Sequence, residues 1–491
     1  MTGVRGEGGV TAAIGRRRFI GGLAAFGLGG CSTAPFGCGA GRLRVGVLSD
    51  VHVKEPLDPA AGTVSSAYWG DGCRNGWPTS AETFRRALVY FRERRADAVL
   101  IAGDIVDLGL RPQFETLKRI WNEVFPGGLL PDGRRVEKIW VTGNHEWGGW
   151  RYNCVKRVWP AEETRRRMSF VSDPEGFWRE FAGEEFRPLF VKDVKGYKFV
   201  CAHYAGPGGV PELPRFIDGV KAHLPADKPF FYVQHLHPKG TCSSPFAASD
   251  DGTSTRVLSD FPNAVAFTGH SHRSLTDERT IWQGAFTSVG TASLRFVQCS
   301  PGCDNGNETP GAASVKSPLL PPVDAYEGRQ GMFMTVYDDA IRLERREFLY
   351  GERLADDWVI PTGVAGRPFA PAYRAEREKA PEFAPGAAVK TVKCRGRDRS
   401  GAERDFVSAV FPTALSGAGR TRALEYEVRA LAGGSAVAEK RVFSAGSLLP
   451  PNRDGWDVVC RFAAEELPAS GVRFEVRARG AFGALSAPIR G

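Results

Sequence analysis

The chain has 491 residues, a length that suggests roughly two to three domains. Hydrophobic residues make up 42% of it and charged residues 25%, as in ordinary globular proteins, and no tract reaches the ~20 apolar residues of a membrane-spanning helix. The net charge of +9 falls to +6 beyond Cys31, because four arginines and one glutamate lie in the first 31 residues (+9 − 3). This mild surplus comes without a dense basic block interleaved with aromatic residues, so it gives no argument for dedicated nucleic-acid binding.

The first 31 residues are typical of an export signal. Arg16-Arg17-Arg18-Phe19-Ile20 resembles the twin-arginine motif, and a weakly apolar stretch, 21–30, follows it. Leu28-Gly29-Gly30-Cys31 resembles a bacterial lipobox, in which the cysteine is lipidated. We therefore expect an exported protein, periplasmic or at the cell surface, with a lipid anchor at Cys31. The alternative is a disordered basic N-terminus whose cysteine has no role.

From residue 42 to 350 short apolar runs alternate with helical patterns, which predicts a layered α/β domain. The runs have strand length and lie at 43–48, 98–102, 138–141, 199–202, 230–233 and 264–267. Between the first two runs, Thr79-Ser80-Ala81-Glu82 has the form of a capping box, and Phe84, Leu88 and Phe91 follow at helical spacing. Further helices are predicted at 113–124 and 174–181.

The C-terminal part has a different pattern. Residues 351–385 are rich in Pro, Ala, Arg and Glu without a sustained period, which indicates a linker. Strict alternation at 424–430 and 472–478 then predicts half-buried antiparallel strands, so residues 386–491 are expected to form a small all-β sandwich of immunoglobulin or fibronectin type. If the chain is exported, Cys299 with Cys303, or Cys394 with Cys460, could form disulfides.

Polar residues follow five of the predicted strands at the point where each strand ends. They are Asp50 and His52, Asp104, Asn144, His235, and His270 and His272. Because sites in α/β sheets are built at the carboxyl ends of strands, we expect these side chains to converge. Imidazole nitrogens mixed with carboxylate oxygens suit Mn, Fe, Zn or Co.

The ordered set Asp-x-His, Gly-Asp, Gly-Asn-His-Glu, His and Gly-His-Ser-His resembles the calcineurin-like metallophosphoesterase superfamily over about residues 43–350. The resemblance implies a four-layer α/β/β/α sandwich that binds two divalent metal ions. It also implies two ligand sets that share Asp104: Asp50, His52, Asp104 and His272 for the first ion, and Asp104, Asn144, His235 and His270 for the second.

The same resemblance implies catalytic and substrate-binding residues. His145 is the candidate general acid, Asp107 its orienting partner, and Asn144 and His145 contact the substrate. His203 ends the predicted strand 199–202 and is either a core residue or a further substrate contact. Leu108-Gly109 stands where the protein Ser/Thr phosphatases have Arg-Gly, and Asp107 stands where the purple acid phosphatases have a tyrosine. The chain is thus more similar to the bacterial branch of phosphodiesterases and exported phosphatases.

The expected reaction is hydrolysis of a phosphate monoester or diester, with a phosphorylated small molecule or diester as substrate. Two alternatives remain: a lipid-anchored surface binding protein with a vestigial metal site, and an exported nuclease. Aromatic residues near the strand ends either stack on a substrate or pack the loops; they are Trp69, Trp77, Trp147, Trp150, Tyr152 and Tyr204. The sequence leaves the oligomeric state open.

Overall fold

A computed structural model of the chain describes residues 40–54, 79–148, 174–242, 249–298, 303–305, 328–362, 367–398, 400–451 and 457–491. The predicted signal with Cys31 lies outside these residues, and so does Cys299. In the part of the chain that is described, no helix is long and apolar enough to cross a membrane.

The N-terminal part of the described chain contains thirteen strands interspersed with helices. In chain order they are β1 (Leu43–Leu48), α1 (Ser80–Glu93), β2 (Ala98–Ala102), α2 (Arg111–Val124), β3 (Glu137–Val141), α3 (Pro174–Ala182), β4 (Leu189–Val194), β5 (Tyr197–Ala202), α4 (Leu213–Val220), β6 (Phe230–Val233), α5 (Thr253–Leu258), β7 (Ala264–Thr268), β8 (Ile281–Gln283), β9 (Thr287–Gly290), β10 (Gln330–Val336), β11 (Ala340–Glu347), β12 (Glu352–Arg353), β13 (Trp358–Pro361) and α6 (Pro371–Arg377). The six predicted strands are all present, with ends that differ by at most two residues.

Two sheets form the centre of this part. The first has the order β12-β11-β10-β1-β2-β3, with β13 also paired to β11, and the second has the order β4-β5-β6-β7-β9-β8. Strands β1, β2 and β3 run parallel, as do β5, β6, β7 and β9. One buried cluster joins the sheets: Val45 and Leu100 of the first share it with Phe199 and Phe267 of the second. The sheets therefore pack face to face.

Helices cover the outer face of each sheet. Helix α1 begins where the capping box predicts, since Thr79 accepts a hydrogen bond from the backbone N–H of Glu82 and the side chains of Phe84, Leu88 and Phe91 are buried. Helices α1, α2 and α3 share a core with the first sheet, whereas α4 and α5 share one with the second. This is the predicted four-layer α/β/β/α sandwich.

The segment predicted as a linker, 351–385, contributes to the first sheet. Strands β12 and β13 both pair with β11, with Ile341 opposite Ile360, and α6 follows them. Trp358 and Ile360 alternate with more exposed residues over only four positions, a pattern too short to stand out in the sequence. The sheet thus continues to Pro361.

The C-terminal part is all β. Its strands are β14 (Lys390–Arg397), β15 (Glu403–Pro412), β16 (Glu425–Ala432), β17 (Ser435–Phe443), β18 (Asp457–Ala463), β19 (Arg473–Arg479) and β20 (Ile489–Arg490). They form two sheets, β14-β15-β18 and β17-β16-β19-β20, which enclose a common core that includes Ala409, Phe462, Val428 and Phe474. The predicted β-sandwich is confirmed, and its relation to immunoglobulin or fibronectin domains stays a prediction.

The predicted disulfide between Cys394 and Cys460 is wrong. Cys394 lies on β14 opposite Phe406, and Cys460 lies on β18 opposite Ala409, so strand β15 separates the two cysteines. Two strand spacings amount to roughly 9–10 Å, more than the Cα separation that a disulfide spans. Cys394 is exposed and Cys460 is buried, and both are free thiols, as is Cys303.

The sandwich is anchored to the N-terminal part through β17 and the loop after it. Phe443 and Leu448 belong to the core that the two large sheets share. Asn305 makes a two-way hydrogen bond with the backbone of Phe443: its amide nitrogen donates to the carbonyl at 3.2 Å, and its amide oxygen accepts from the N–H at 2.7 Å. Other contacts add to this anchor: the backbone N–H of Gly419 donates to Asp356 at 3.0 Å, and those of Phe482 and Ala484 donate to the Glu378 carboxylate at 2.9 Å.

Candidate metal centre

The seven residues predicted as metal ligands lie together at the carboxyl ends of five strands. Asp50 and His52 follow β1, Asp104 follows β2, and Asn144 follows β3 in the first sheet; His235 follows β6, and His270 and His272 follow β7 in the second. All are buried except His270, which is half-buried. Parallel strands in both sheets thus deliver polar side chains to one edge of the sandwich.

Three of these side chains form a first cluster. The Nε2 atom of His272 lies 3.0 Å from Asp50 Oδ1 and 3.3 Å from His52 Nε2. The His52 Nε2 atom also lies 3.8 Å from Asp104 Oδ2. One carboxylate oxygen and two imidazole nitrogens close enough to share one ion therefore face each other.

A second cluster surrounds the same oxygen of Asp104. His235 Nε2 lies 3.2 Å from Asp104 Oδ2, 3.0 Å from Asn144 Oδ1 and 3.2 Å from His270 Nδ1. Asp104 is the residue that both clusters contact, as the sequence motif implied. The three residues Asp104, His235 and His270 could hold a metal ion.

The hydrogen bonds behind the first cluster show that its donor set fits a cation. His52 Nδ1 lies 3.2 Å from an Asp107 carboxylate oxygen, and His272 Nδ1 lies 3.0 Å from the backbone carbonyl of Phe296. Both partners only accept, so each Nδ1 carries the proton and each Nε2 presents a lone pair. Two lone pairs facing each other at 3.3 Å repel unless a cation lies between them.

The charges of the site agree with this assignment. Burial lowers the pKa of His52 to about 4 and that of His270 to about 3, so both rings are neutral at pH 7 and available as ligands. Burial also disfavours ionised Asp104, yet His235 and His145 hold the pKa of its carboxyl well below the usual value. Asp104 in turn outweighs burial and raises the pKa of His235 to about 9, so a metal bound at this nitrogen would displace a proton.

The backbone at these ligands is strained. Five of the seven have left-handed φ values, an uncommon conformation for residues other than glycine: Asp50 (48°), His52 (48°), Asp104 (49°), His270 (65°) and His272 (50°). Such residues cost of order 1–3 kcal/mol each and persist where their surroundings impose them, often at functional sites. Backbone hydrogen bonds from Asp50 to Gly103 and from His52 to Asp104, both 3.0 Å long, hold two of them.

Glycines allow close approach of the ligand loops. A Cβ on Gly143 would collide with the Asp104 carboxylate, and one on Gly269 would lie 2.5 Å from Asp50 Oδ2. The glycines that precede Asn144 and His270 in the sequence motifs are therefore needed because the side chain of another ligand occupies that space.

His145 lies at the rim of the two clusters. Its backbone N–H donates to Asp104 Oδ1 at 2.8 Å, and its ring Nδ1 donates to the backbone carbonyl of Asp107 at 2.5 Å. The ring Nε2 lies 3.9 Å from Asp104 Oδ2, and 24% of the side chain is exposed. A partly exposed ring beside both clusters is a candidate for proton transfer.

The carboxylate of Asp107 has other partners than the sequence predicts. It contacts His52 Nδ1 at 3.2 Å, the guanidinium of Arg295, and Lys54 Nζ at 3.6 Å, whereas His145 Nδ1 lies 4.0 Å away. Asp107 therefore orients His145 through its backbone carbonyl and His52 through its side chain. Histidine ligands of metals commonly donate their second nitrogen to a carboxylate in this way.

His203 is enclosed instead of facing the clusters. Its ring stacks on Phe186 at 4.3 Å between centroids and meets Trp178 edge-on at 4.8 Å, and its Nδ1 accepts from the backbone N–H of Thr142 at 3.0 Å. Only 2% of the residue is exposed. This environment gives no support to the predicted substrate contact and fits the alternative of a core residue.

Two half-buried aromatic residues flank the centre. Phe296 packs on the His272 ring, with centroids 4.1 Å apart, and Tyr204 lies 6.4 Å from the His235 ring. Trp147 donates to the Thr142 hydroxyl at 3.0 Å and packs a loop. The predicted aromatic residues Trp69, Trp77, Trp150 and Tyr152 lie outside the described residues.

Sequence reasoning assigned no role to Glu146 or Arg295. The buried Glu146 carboxylate accepts from the backbone N–H groups of Asp104 (3.1 Å), Val106 (2.8 Å) and Gly143 (2.6 Å), and so joins two ligand loops. Burial, followed by the charge of Asp104, raises the pKa of Glu146 to about 8. The position of Glu146 in the Gly-Asn-His-Glu motif was a sequence signal for a role at the site. Nothing in the sequence near Arg295 indicates its contact with Asp107.

One comparison with known proteins gives a family match. Residues 43–274 match the family model described as calcineurin-like phosphoesterase, and no curated protein sequence matches the chain.

Among solved structures, the chain is similar to a dimetal phosphatase from Danio rerio (12% identity, 66% of this chain and 100% of that one, TM-score 0.36). It is also similar to GAP50, the anchor in the inner membrane complex of Plasmodium (11%, 67% and 90%, 0.34), and to a predicted phosphoesterase from Streptococcus pneumoniae (11%, 65% and 97%, 0.26). At these identities and TM-scores the similarities bear on neither substrate nor mechanism. On the family match, residues 43–274 form a calcineurin-like phosphoesterase domain.

Proposed function

We infer that the chain is a phosphoester hydrolase that uses two divalent metal ions, one in each cluster. The observation that carries this function is the position of Asp104 Oδ2, which lies 3.8 Å from His52 Nε2 in one cluster and 3.2 Å from His235 Nε2 in the other. The first ion would be held by Asp50, His52, Asp104 and His272, and the second by Asp104, Asn144, His235 and His270. When bound, such ions supply Lewis-acid stabilisation of a phosphoryl group and a hydroxide nucleophile at neutral pH.

The chain's own residues supply the remaining chemistry. The His145 side chain is partly exposed at the rim, and its Nε2 is the proton donor to the leaving-group oxygen, with the carbonyl of Asp107 holding the ring in place. The Asp107 carboxylate fixes the tautomer of His52, and Arg295 balances its charge. Because every predicted ligand is in place, the arrangement favours an active enzyme over a binding protein with a vestigial site.

The acid role of His145 is tested by comparing substrates with good and poor leaving groups. Turnover of the His145→Gln variant with added Mn²⁺ should fall about 10²–10⁴-fold for alkyl phosphate esters. It should fall much less for p-nitrophenyl esters, whose leaving group needs no proton. His223→Gln, at an exposed surface histidine, is the matched control. Equal losses on both substrate classes would overturn the acid role, and a panel of monoesters and diesters assigns the substrate class.

We also propose that the protein is exported and carries a lipid at Cys31, which rests on the sequence of residues 16–31. Replacing Arg16 and Arg17 by lysine should leave the protein in the cytoplasm in a fractionation experiment. Cys31→Ser should abolish labelling by a radioactive fatty acid. Normal export of the double-lysine variant would refute the proposed signal.

A further inference from the structure

His237 is a buried histidine for which the proposed reaction has no role. It follows the candidate ligand His235 by two residues, and only 1% of it is exposed. Its Nδ1 atom lies 2.6 Å from the Thr268 hydroxyl, and its Nε2 atom lies 2.8 Å from the Ser271 hydroxyl. Both ring nitrogens are engaged by hydroxyl groups, so His237 is not a further metal ligand.

The two hydroxyl groups lie on the loop that supplies candidate ligands to both ions. Thr268 is the last residue of β7. Ser271 stands between His270 of the second ligand set and His272 of the first. The imidazole of His237 thus joins the start of this loop to its middle, where one contact acts on both histidine ligands at once.

Neighbouring contacts determine which of these groups donate. The Thr268 hydroxyl also donates to the backbone carbonyl of Val289, at 3.4 Å. The Ser271 hydroxyl oxygen also accepts from the backbone N–H of Arg273, at 3.4 Å. For a neutral ring, only the tautomer with its proton on Nδ1 lets all of these contacts form, because each hydroxyl has one proton to donate. His237 therefore donates to Thr268, and the Ser271 hydroxyl donates to the ring Nε2.

His237 is itself fixed by the fold around it. Its backbone carbonyl accepts from the N–H of Asp250 at 2.8 Å. Its ring packs so closely on Gly290, the last residue of β9, that a Cβ there would lie 3.3 Å from the ring Cε1. Thr268 is fixed in turn, because its carbonyl accepts from the backbone N–H of Thr291 at 2.8 Å. The ring therefore presents Nε2 to the ligand loop from a fixed position.

The ligand loop has a strained backbone that such a contact can stabilise. His270 and His272 have left-handed φ values of 65° and 50°, and Ser271 lies between them. Residues in this conformation cost of order 1–3 kcal/mol each and persist where their surroundings impose them. The contact with His237 links this strained segment to a different ligand loop, the one after β6.

We propose that His237 is a positioning residue which, through the Ser271 hydroxyl, holds the two flanking histidine ligands in the geometry that binds both ions. This inference rests on the proposed two-metal function and extends it to a residue outside both ligand sets. Residues that orient metal ligands typically contribute about 10–100-fold to metal affinity. Because His237 acts on the backbone between two ligands, its loss should weaken both sites together. Arg295 differs, since it acts through Asp107 on the first site.

The test is calorimetric titration of the metal-free full chain with Mn²⁺. Ser271→Ala should bind both ions about 10-fold more weakly than the wild type, at the low end for a ligand partner because the effect passes through the backbone. Ser271→Thr keeps the hydroxyl and should bind both ions as the wild type does. Combining Ser271→Ala with His237→Leu should add nothing to the larger single loss, because both changes remove the same hydrogen bond. The Ser271 variants decide alone if the leucine variant does not fold.

The matched control is Ser486→Ala in the C-terminal sandwich. This buried hydroxyl also makes two hydrogen bonds, since it accepts from the N–H of Ala478 at 2.9 Å and donates to the carbonyl of Ala487 at 2.8 Å. Its removal should lower the free energy of unfolding and leave both Mn²⁺ affinities unchanged. A second readout is the visible absorption spectrum of the Co²⁺-saturated protein, which reports ligand geometry. This spectrum should change in Ser271→Ala and stay the same in Ser486→Ala.

Three results would overturn the proposal: wild-type affinities in Ser271→Ala, a loss at one site only, or an equal loss in Ser271→Thr. A wild type that binds no metal would refute the proposed function and this inference with it. A wild type that binds two ions, beside a Ser271→Ala variant with the same two affinities, would refute only the role of His237.

Discussion

Replacing Arg295 by glutamine tests the link between Asp107 and the proposed metal ligand His52. The side chains of Arg295 and Asp107 are only 4% and 9% exposed, so their ion pair is poorly screened by solvent. Breaking a buried pair typically costs 3–5 kcal/mol. We expect the low end, about 3 kcal/mol, because Lys54 remains 3.6 Å from the same carboxylate. Metal affinity should fall by about 10–100-fold, as it does when the partner of a histidine ligand is disturbed.

The pH dependence of this loss has a defined sign. Burial disfavours the Asp107 carboxylate, but Arg295, Lys54 and His52 hold its pKa well below the usual 3.8. A carboxyl with a depressed pKa stabilises the fold above its unfolded pKa, and this contribution is lost as the pH falls. The difference in unfolding free energy between wild type and Arg295→Gln should therefore be full at pH 7 and shrink below about pH 4.

Urea unfolding of the chelated protein at stepped pH measures the stability loss, and calorimetric titration with Mn²⁺ measures the affinity. Arg295→Lys should recover part of both. Arg119→Gln, which breaks an exposed pair with Glu123, is the matched control and should cost less than about 1 kcal/mol. If Arg295→Gln behaves like this control and binds metal normally, the proposed link is refuted.

Three further outcomes are expected. Gly143→Ala should weaken metal binding in calorimetric titration and lower the free energy of unfolding in urea by about 1–3 kcal/mol, because its Cβ meets the Asp104 carboxylate. Gly208→Ala, which has open space around it, should be neutral. Equal effects of the two substitutions would refute the steric argument. Burial lowers the pKa of His203 from 6.5 to about 3, so the free energy of unfolding should fall as the pH drops below about 6.5. His203→Gln should flatten this pH dependence in urea titrations. An unchanged slope in the variant would contradict the assignment to His203. Chelation should lower the melting temperature of the wild type, and Mn²⁺ should restore it in calorimetry; an unchanged melting temperature would argue against metal at this centre.

Much of the fold follows from local patterns in the sequence. The capping box at Thr79 and the apolar spacing after it predict α1, and the short apolar runs predict the strands, because these signals depend on neighbouring residues alone. Strands β12 and β13 are not predicted from the sequence, because pairing with β11 stabilises them and their own hydrophobic pattern does not. Likewise, whether Cys394 and Cys460 can form a disulfide depends on the order of the strands in the sheet, and the positions of two cysteines in the sequence do not reveal that order.

The convergence of the candidate ligands could be predicted from the sequence, whereas the contacts that support them could not. Polar residues directly after strands mark a shared edge, so the convergence of Asp50, Asp104 and His270 could be expected. The left-handed backbone at these residues has no sequence signal, because it arises from tertiary hydrogen bonds. The partners of Asp107 are equally hidden, since Arg295 is distant in sequence and reaches the carboxylate only in the folded chain.

The central claim is that two metal ions share Asp104, and the most direct measurement is metal content together with turnover. The purified wild type should contain two divalent ions per chain by elemental analysis and hydrolyse a phosphate ester. Asp104→Ala should lose both, while Asp218→Ala, at an exposed surface carboxylate, should retain both. Wild-type turnover in Asp104→Ala with unchanged metal content would contradict the account.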